Sequence, residues 1–254
     1  MTIDDKTLIE HISKGEKIQR GEELPCGYRS ELMRLMVVFV DSQLAGAAGF
    51  ANMINHGPGL RERCTAAQIV ADRFSHAEKV LELLKDFNVE PRLYVASHSW
   101  AARLDRYVDL GSRRIGGDKR LNVFHYPLEG WVDALVLNVL MGTASSVQLG
   151  ELRQASYTPL AEVMMDIVKC EQAHTEIGEK GLQDAIDHTG TAAAQASVDY
   201  WYPRVVATFG RANSEHNALF QQYGLIKHSN DQRLNTWEGQ VSDVLSRLGL
   251  NTPA

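Results

Sequence analysis

The chain has 254 residues, of which 44% are hydrophobic and 23% are charged, and its formal net charge is −6 at pH 7. These values are ordinary for a globular protein with a substantial buried core. The acidic balance, with no basic stripe along the sequence, excludes nucleic acid as the main partner.

The cysteines and the apolar segments indicate the compartment. Cys26, Cys64 and Cys170 are odd in number and scattered, which predicts buried thiols in a reducing environment and not a disulfide framework. The N-terminus MTIDDKTLIE lacks the basic start and apolar run of a signal peptide. We find no stretch of about 18 uncharged apolar residues. We therefore expect a cytoplasmic protein without a membrane span.

Helical periodicity dominates the first half of the chain. It predicts a long helix over residues 28–54, which ends before Gly57-Pro58-Gly59 because proline cannot continue the hydrogen-bond ladder. A second long helix is predicted over residues 60–87 and ends near Asn88 and Pro91. Another helix is expected over residues 91–110, followed by a polar loop over residues 111–122.

The second half repeats this pattern. A third long helix is predicted from Tyr126-Pro127 to about residue 156, and a fourth over residues 159–188. Helices over residues 192–209 and 231–248 should wrap the bundle. Four long helices predict an all-α fold whose core can host a metal site. We expect one domain over residues 1–254, with the bundle at about 28–190 and the wrapping helices at about 192–250.

Two helical segments carry part of a metal-binding signature. In Glu171-Gln172-Ala173-His174 a carboxylate and an imidazole lie three residues apart on one helix face, a spacing that binds iron inside four-helix bundles. The companion segment, Asp72-Arg73-Phe74-Ser75-His76, keeps the histidine but has arginine where the matching glutamate would stand. A guanidinium stays protonated and offers no lone pair, so it repels a metal ion.

These segments and several others resemble the catalytic subunit family of bacterial phenylacetyl-CoA epoxidase, whose members are ferritin-like monooxygenases. The likeness covers most of the chain from about Tyr28 onward. The segments that carry it are Leu60-Arg61, Asp72, His76, Tyr126-Pro127, Trp131-Val132-Asp133, Lys169-Cys170-Glu171-Gln172-Ala173-His174, Trp201-Tyr202-Pro203, Phe209-Gly210 and Thr236-Trp237.

The resemblance implies a ferritin-like four-helix bundle with flanking helices. In that family two irons activate dioxygen and epoxidise the aromatic ring of a CoA thioester, with electrons from a separate reductase. A related ferritin-like subunit without metal serves as scaffold. The six ligand positions that the resemblance implies fall here on Gln43, Arg73, His76, Gly142, Glu171 and His174. Three of these positions keep a metal-binding side chain.

The main hypothesis is therefore a degraded di-iron site in a non-catalytic subunit. We expect Arg73 and Glu171 to form a buried ion pair that excludes metal, because an unpaired buried ion is costly and a guanidinium matches a carboxylate. No cofactor is then expected. The expected role is a scaffold or aromatic acyl-CoA-binding member of a phenylacetate-type degradation complex, which forms a homo-oligomer or pairs with a ferritin-like sister subunit.

Two alternatives remain open. His76, Glu171 and His174 form a two-histidine, one-carboxylate set that predicts a mononuclear iron oxygenase or oxidase acting on an aromatic acyl-CoA. The second alternative is a metal-free bundle that simply binds an aromatic acyl group.

The neighbouring residues leave further choices. Gln43 should hydrogen-bond His76 or Glu171, or be a satisfied buried amide. Asp72 is either a weak ligand or the partner that orients His76. Gly142 reflects close helix packing or room for the arginine or a ligand ring.

Overall fold

The computed structural model describes residues 4–111, 113 and 115–253. Within these residues the chain is helical, and its β-type pairing is an isolated bridge between Ile18 and Tyr157. In chain order the α-helices are α1 (Asp5–Ser13), α2 (Cys26–Ala51), α3 (Leu60–Leu84), α4 (Pro91–Ala96), α5 (Trp131–Leu152), α6 (Thr158–Thr189), α7 (Ala192–Val206), α8 (Glu215–Gln222) and α9 (Asn230–Arg247).

The four longest helices form the bundle. The most extensive interfaces join α2 to α3 and α5 to α6, and α3 also packs on α6. The shorter α7 and α9 pack against α5 from outside the bundle. Trp201 of α7 and Trp237 of α9 are both fully buried, and the Trp237 indole donates a 3.2 Å hydrogen bond to the Leu140 carbonyl of α5. The predicted all-α ferritin-like bundle with flanking helices is confirmed.

Local sequence explains where the bundle helices begin and end. Proline in the first turn of α6 suits a position whose N–H has no helical partner. Gly190 ends the same helix with a φ of 79°, a left-handed angle that glycine adopts without strain. Asn88, with a φ of 66°, likewise ends the short 3₁₀ turn that follows α3. Ser229 and Gln232 form a capping box at the start of α9.

The helix expected over residues 91–110 is mostly absent. Only Pro91–Ala96 is helical, and an irregular connection leads to a 3₁₀ turn at Asn122–His125. The connection is stabilised by Arg120, which is buried and donates to the carbonyls of Ser99 at 2.8 Å and Trp100 at 3.0 Å. Buried carbonyls outside a helix need hydrogen-bond donors. Here the Arg120 side chain supplies the donors that backbone N–H groups would supply in a helix.

Two other expectations need correction. The short helices α1 and α8 were not predicted, because each spans only two or three turns. The cysteines were expected to be buried, but Cys26 and Cys64 are exposed and Cys170 is partly exposed. Cys26 is the first residue of α2, and Cys64 lies on an outward-facing position of α3.

Two segments of the bundle are long and apolar enough to cross a membrane by length and composition alone. They are residues Cys26–His56 and Trp131–Leu152, with mean hydropathies of 1.3 and 1.4 in their most apolar windows. The expectation that no segment has this character is therefore wrong. More than half of each window is buried inside the bundle, and helices surrounded by neighbours are apolar on several faces. The composition thus follows from their central position in the fold.

A buried carboxylate fastens α5 to its surroundings. Asp133 accepts hydrogen bonds from Arg106 at 2.7 Å, from the Ser197 hydroxyl at 2.9 Å and from the Trp201 indole at 2.8 Å. Burial opposes its ionisation, but these donors, above all Arg106, lower the pKa of Asp133. The irregular connection, α5 and α7 are thereby held together at one end of the bundle.

Candidate functional site

The six positions of the di-iron signature meet in the interior of the bundle. Each of the four long helices contributes, and the backbone at these positions is regular helix. The positions are Gln43 on α2, Arg73 and His76 on α3, Gly142 on α5, and Glu171 and His174 on α6. Their assignment as former metal-ligand positions stays a prediction.

Glu171 is the centre of this cluster. It is 3% exposed, and its Oε1 accepts hydrogen bonds from Gln43 Nε2 and from His76 Nδ1, both at 3.1 Å. Burial disfavours the carboxylate, but the His76 hydrogen bond and the nearby charge of Arg73 outweigh it and lower the pKa of Glu171. The side chain is thus an ionised acceptor, and the Gln43 amide is directed at Glu171, one of the two partners expected for it.

The predicted ion pair between Arg73 and Glu171 is not formed. Arg73 Nη2 instead donates to Asn138 Oδ1 of α5 at 3.1 Å, and the guanidinium carbon lies 5.7 Å from the centre of the Phe50 ring. Asn138 in turn donates to the His174 carbonyl at 3.1 Å. Glu171 already has two donors of its own, so the arginine turns toward the free amide oxygen. Its charge acts on Glu171 through space and not through contact.

Asn138 is the functional position that the sequence reasoning missed. It is buried and lies one helical turn before Gly142, so it projects from the same face of α5. A buried amide at that spacing was a signal that could have found it.

His174 has a carboxylate partner on one side of its ring. Its Nε2 lies 2.9 Å from Asp72 Oδ2 on α3. Of the two roles expected for Asp72, the orientation of His76 is wrong, because its side chain leaves α3 about 100° from Arg73 and contacts His174 of α6. The role of a weak metal ligand stays a prediction. Burial lowers the pKa of His174 and outweighs the opposing effects of Glu171 and Asp72. Because a carboxylate accepts hydrogen bonds, the contact with Asp72 places a ring proton on Nε2. The opposite nitrogen, Nδ1, is buried without a hydrogen-bond partner among the described residues.

Gly142 of α5 lies directly against Thr175 of α6. A Cβ atom added at this glycine would collide with the hydroxyl of Thr175, which donates to the Glu171 carbonyl at 2.9 Å. This is the close helix packing that was one of the two interpretations of Gly142. The position has no room for a carboxylate side chain in the present arrangement.

The residues as they stand do not fit two irons. Gln43 offers a neutral amide that already donates to Glu171, Arg73 brings a fixed positive charge, and position 142 has no side chain. The anionic bridges that hold two cations close together are missing from three of the four helices. One neutral imidazole with a free lone pair, on His174, is the feature that still suits a cation.

An apolar cavity of about 120 Å³ adjoins the cluster. Gln43, Arg73 and Glu171 form its polar end. Its apolar walls come from the bundle helices and nearby segments and include Leu35, Phe39, Phe124, Met141, Leu149 and Ile226. Cavities of roughly 150 Å³ with such walls can hold a benzene ring. The volume of this cavity is somewhat below that value, and its lining also includes the polar side chains of Ser42, Ser145, Gln148 and Arg233.

A third arrangement lies on the less buried side of His174. Cys170 Sγ is 3.5 Å from His174 Nε2 and 3.8 Å from Asp72 Oδ2. Among the described residues, these three side chains form the group whose potential ligand atoms all lie within 4.8 Å of one another. Burial, followed by the charge of Asp72, raises the pKa of the Cys170 thiol to about 11. The thiol had been expected to be an ordinary core residue.

Comparison with known proteins gives consistent matches over nearly the whole chain. A family model described as phenylacetic acid catabolic protein matches residues 9–254. One subunit of the 1,2-phenylacetyl-CoA epoxidase from Escherichia coli (strain K12) is 25% identical over 256 residues, which cover 98% of this chain and 77% of that protein.

Proposed function

The chain belongs to the phenylacetic acid catabolic protein family, and from this premise we propose that it is a non-catalytic, ferritin-fold subunit of a phenylacetate-type degradation complex. Its role is that of a scaffold or of an acyl-CoA-binding member. The observation that carries the proposal is the set of side chains at the di-iron positions. Gln43 and Arg73 donate hydrogen bonds there, and the Thr175 side chain occupies the space beside Gly142.

Electrostatics supports a metal-free interior. The negative charge of Glu171 is already stabilised by two hydrogen-bond donors and by the nearby guanidinium of Arg73, which does not form an ion pair with it. A divalent cation beside Arg73 would meet a like charge in a medium of low polarity, where repulsion over a few ångströms amounts to several kcal/mol. Only one carboxylate in the cluster would offset it.

The cavity supports a role in binding an aromatic acyl group. Its apolar walls suit a phenyl ring, and Arg73 stands at the polar end with a fork of five N–H groups, one of which is used by Asn138. A thioester carbonyl next to the ring could accept from that fork. The acyl group of an aromatic CoA thioester would therefore enter with its ring against Phe39 and Met141.

The relative supports an assembly. That protein is named as one subunit of an epoxidase, which implies an enzyme of more than one chain. We propose that this chain likewise pairs with a ferritin-like sister subunit or with copies of itself.

A second candidate function is a mononuclear oxygenase or oxidase at His76, Glu171 and His174, acting on an aromatic acyl-CoA. The buried, unpartnered Nδ1 of His174 favours it, because a metal-binding histidine commonly donates its other N–H to a carboxylate, as Nε2 does here to Asp72. Iron held there would supply the activation of dioxygen. The protein would contribute two imidazoles, one carboxylate and the cavity that places the substrate.

Elemental analysis separates the two candidates. The protein is expressed in iron-rich medium, purified without chelator and analysed for iron and manganese, with Glu171→Gln as the matched variant. The scaffold proposal expects far less than one iron or manganese ion per chain in both proteins. Near-stoichiometric iron that disappears in Glu171→Gln would contradict it and establish the second candidate.

Calorimetry with phenylacetyl-CoA tests the ligand. We expect binding to the wild-type protein and at least tenfold weaker binding, about 1.4 kcal/mol, to Arg73→Met. Arg92→Met, at an exposed position of α4, is the matched control and should bind like the wild type. No detectable binding to the wild type would exclude the acyl-CoA role and leave that of a scaffold, and equal affinity in all three proteins would exclude Arg73 as a ligand contact.

A further inference from the structure

Asp72, Cys170 and His174 bring three potential metal-ligand atoms close together. Cys170 and His174 lie four residues apart on one face of α6, and Asp72 reaches them from α3. The three ligand atoms are separated by 2.9 Å (Asp72 Oδ2 to His174 Nε2), 3.5 Å (Cys170 Sγ to His174 Nε2) and 3.8 Å (Cys170 Sγ to Asp72 Oδ2). Of these three residues, only His174 is also one of the six di-iron positions.

Zinc chemistry sets the separations that such a group needs. With Zn–N and Zn–O bonds of about 2.0–2.1 Å and Zn–S bonds of about 2.3 Å, a tetrahedral site has ligand edges of about 3.3 Å between N and O and about 3.5 Å to sulfur. The three distances observed here differ from these edges by a few tenths of an ångström. Small side-chain rotations would accommodate the ion. We propose that Asp72, Cys170 and His174 bind a zinc(II)-class cation that links α3 to α6, a site that goes beyond the function proposed above.

The surroundings prepare the ligands. Gln68 donates to Asp72 Oδ1 at 2.8 Å, which orients the carboxylate and leaves Oδ2 facing Cys170 and His174. The Asp72 side chain is 27% exposed, so water can reach the fourth corner of the tetrahedron.

Binding is coupled to the loss of one proton. The S–H bond of Cys170 breaks, its proton passes to solvent, and the thiolate sulfur forms the bond to zinc. A carboxylate, a thiolate and a neutral imidazole then balance the two positive charges of the ion. No oxidant or reductant takes part.

This site and the mononuclear candidate exclude each other. Zinc on Nε2 of His174 moves the ring proton to Nδ1, which removes the lone pair that an inner cation would use. Nδ1 has no acceptor among the described residues, so the outer site is weaker than one whose histidine has a hydrogen-bonded second nitrogen.

Cobalt(II) distinguishes the two sites by spectroscopy, because only the outer site contains a thiolate. The full-length protein is stripped with chelator, dialysed and titrated with cobalt. We expect one equivalent to produce thiolate-to-cobalt charge-transfer absorption. The band should be retained in Cys64→Ser and in Glu171→Gln, and lost in Cys170→Ser with more than about tenfold weaker binding. Bound cobalt without the band, a band that persists in Cys170→Ser, or no binding at all would each overturn the proposal.

Alkylation of the wild-type protein tests the site without any substitution. The stripped protein is treated with a maleimide in the presence or absence of zinc, and modification is mapped by mass spectrometry. Zinc should protect Cys170 at least tenfold, whereas the exposed Cys26 and Cys64 react equally in both samples. Unchanged labelling of Cys170 would contradict zinc ligation by its sulfur.

Discussion

Replacing Gln43 by glutamate tests the centre of the cluster. In the wild-type protein the Gln43 amide donates to Glu171 at 3.1 Å. In Gln43→Glu two carboxylates would meet at that distance, where the repulsion is about 5 kcal/mol at an effective dielectric constant near 20. Protonation of one of the two carboxylates limits the loss of stability. Adding a proton to a carboxylate with the ordinary pKa of about 4.3 costs about 4 kcal/mol at pH 7 and about 1 kcal/mol at pH 5.

The variant should therefore have an inverted pH dependence. The pKa of the paired carboxyls is raised in the folded state, so their contribution to stability is present at low pH and is lost as the pH rises. Wild-type Glu171 behaves oppositely. Its pKa is lowered to about 2 from 4.5, so its contribution is complete above about pH 4.5 and disappears only as the pH falls toward 2. Between pH 5 and 8 the wild-type contribution of Glu171 is thus constant.

The measurement is urea unfolding at pH 5, 6, 7 and 8. We expect Gln43→Glu to lose about 1 kcal/mol relative to the wild type at pH 5 and about 3–4 kcal/mol at pH 7. Gln43→Met is the matched control, because it removes the hydrogen bond at every pH and should show a constant difference. Parallel curves for the two variants would refute the contact between position 43 and Glu171. Added manganese should not restore the stability of Gln43→Glu, because Arg73 still opposes a cation.

Three further substitutions test the packing around the cluster. Arg73→Met should lower the free energy of unfolding by about 2 kcal/mol, the value of one charge-assisted hydrogen bond to Asn138; a loss above about 4 kcal/mol in urea denaturation would instead indicate a direct ion pair. Gly142→Ala should lower the free energy of unfolding by about 1–3 kcal/mol in thermal unfolding, and adding Thr175→Ala should recover most of this loss. Additive effects in the double variant would contradict the collision between the two residues. Asp133→Asn should lose about 2–4 kcal/mol in urea, because Arg106 keeps its charge without a carboxylate, and a loss below about 1 kcal/mol would refute this role.

The fold was predictable where one periodicity extends over many turns. The four bundle helices were found within a few residues of their ends, because glycine, proline and asparagine mark those ends. The connection after α4 was not, since residues 97–110 contain enough apolar positions to imitate a helix. Their actual path depends on Arg120 and its carbonyl partners, and such contacts are set by the tertiary structure.

The sequence predicted which positions come together in the candidate site, but not which side chains form hydrogen bonds with one another. Helix register alone brings Gln43, His76 and Glu171 together, and that was read from spacing. The choice of partners was not, because Arg73 and Asn138 are separated by 65 residues. Each of them had several acceptors or donors within reach, and only the rotation of each helix about its axis selects one.

The contact between Gly142 and Thr175 also restricts the order in which mutations can accumulate. A carboxylate side chain at position 142 would cost least in a chain where residue 175 had already become smaller, because a Cβ at this position would overlap the Thr175 side chain. The reverse order would pass through a chain with overlapping atoms and a weakened bundle. The packing of α5 on α6 therefore opposes the return of an acidic residue at position 142, whatever the rest of the cluster contains.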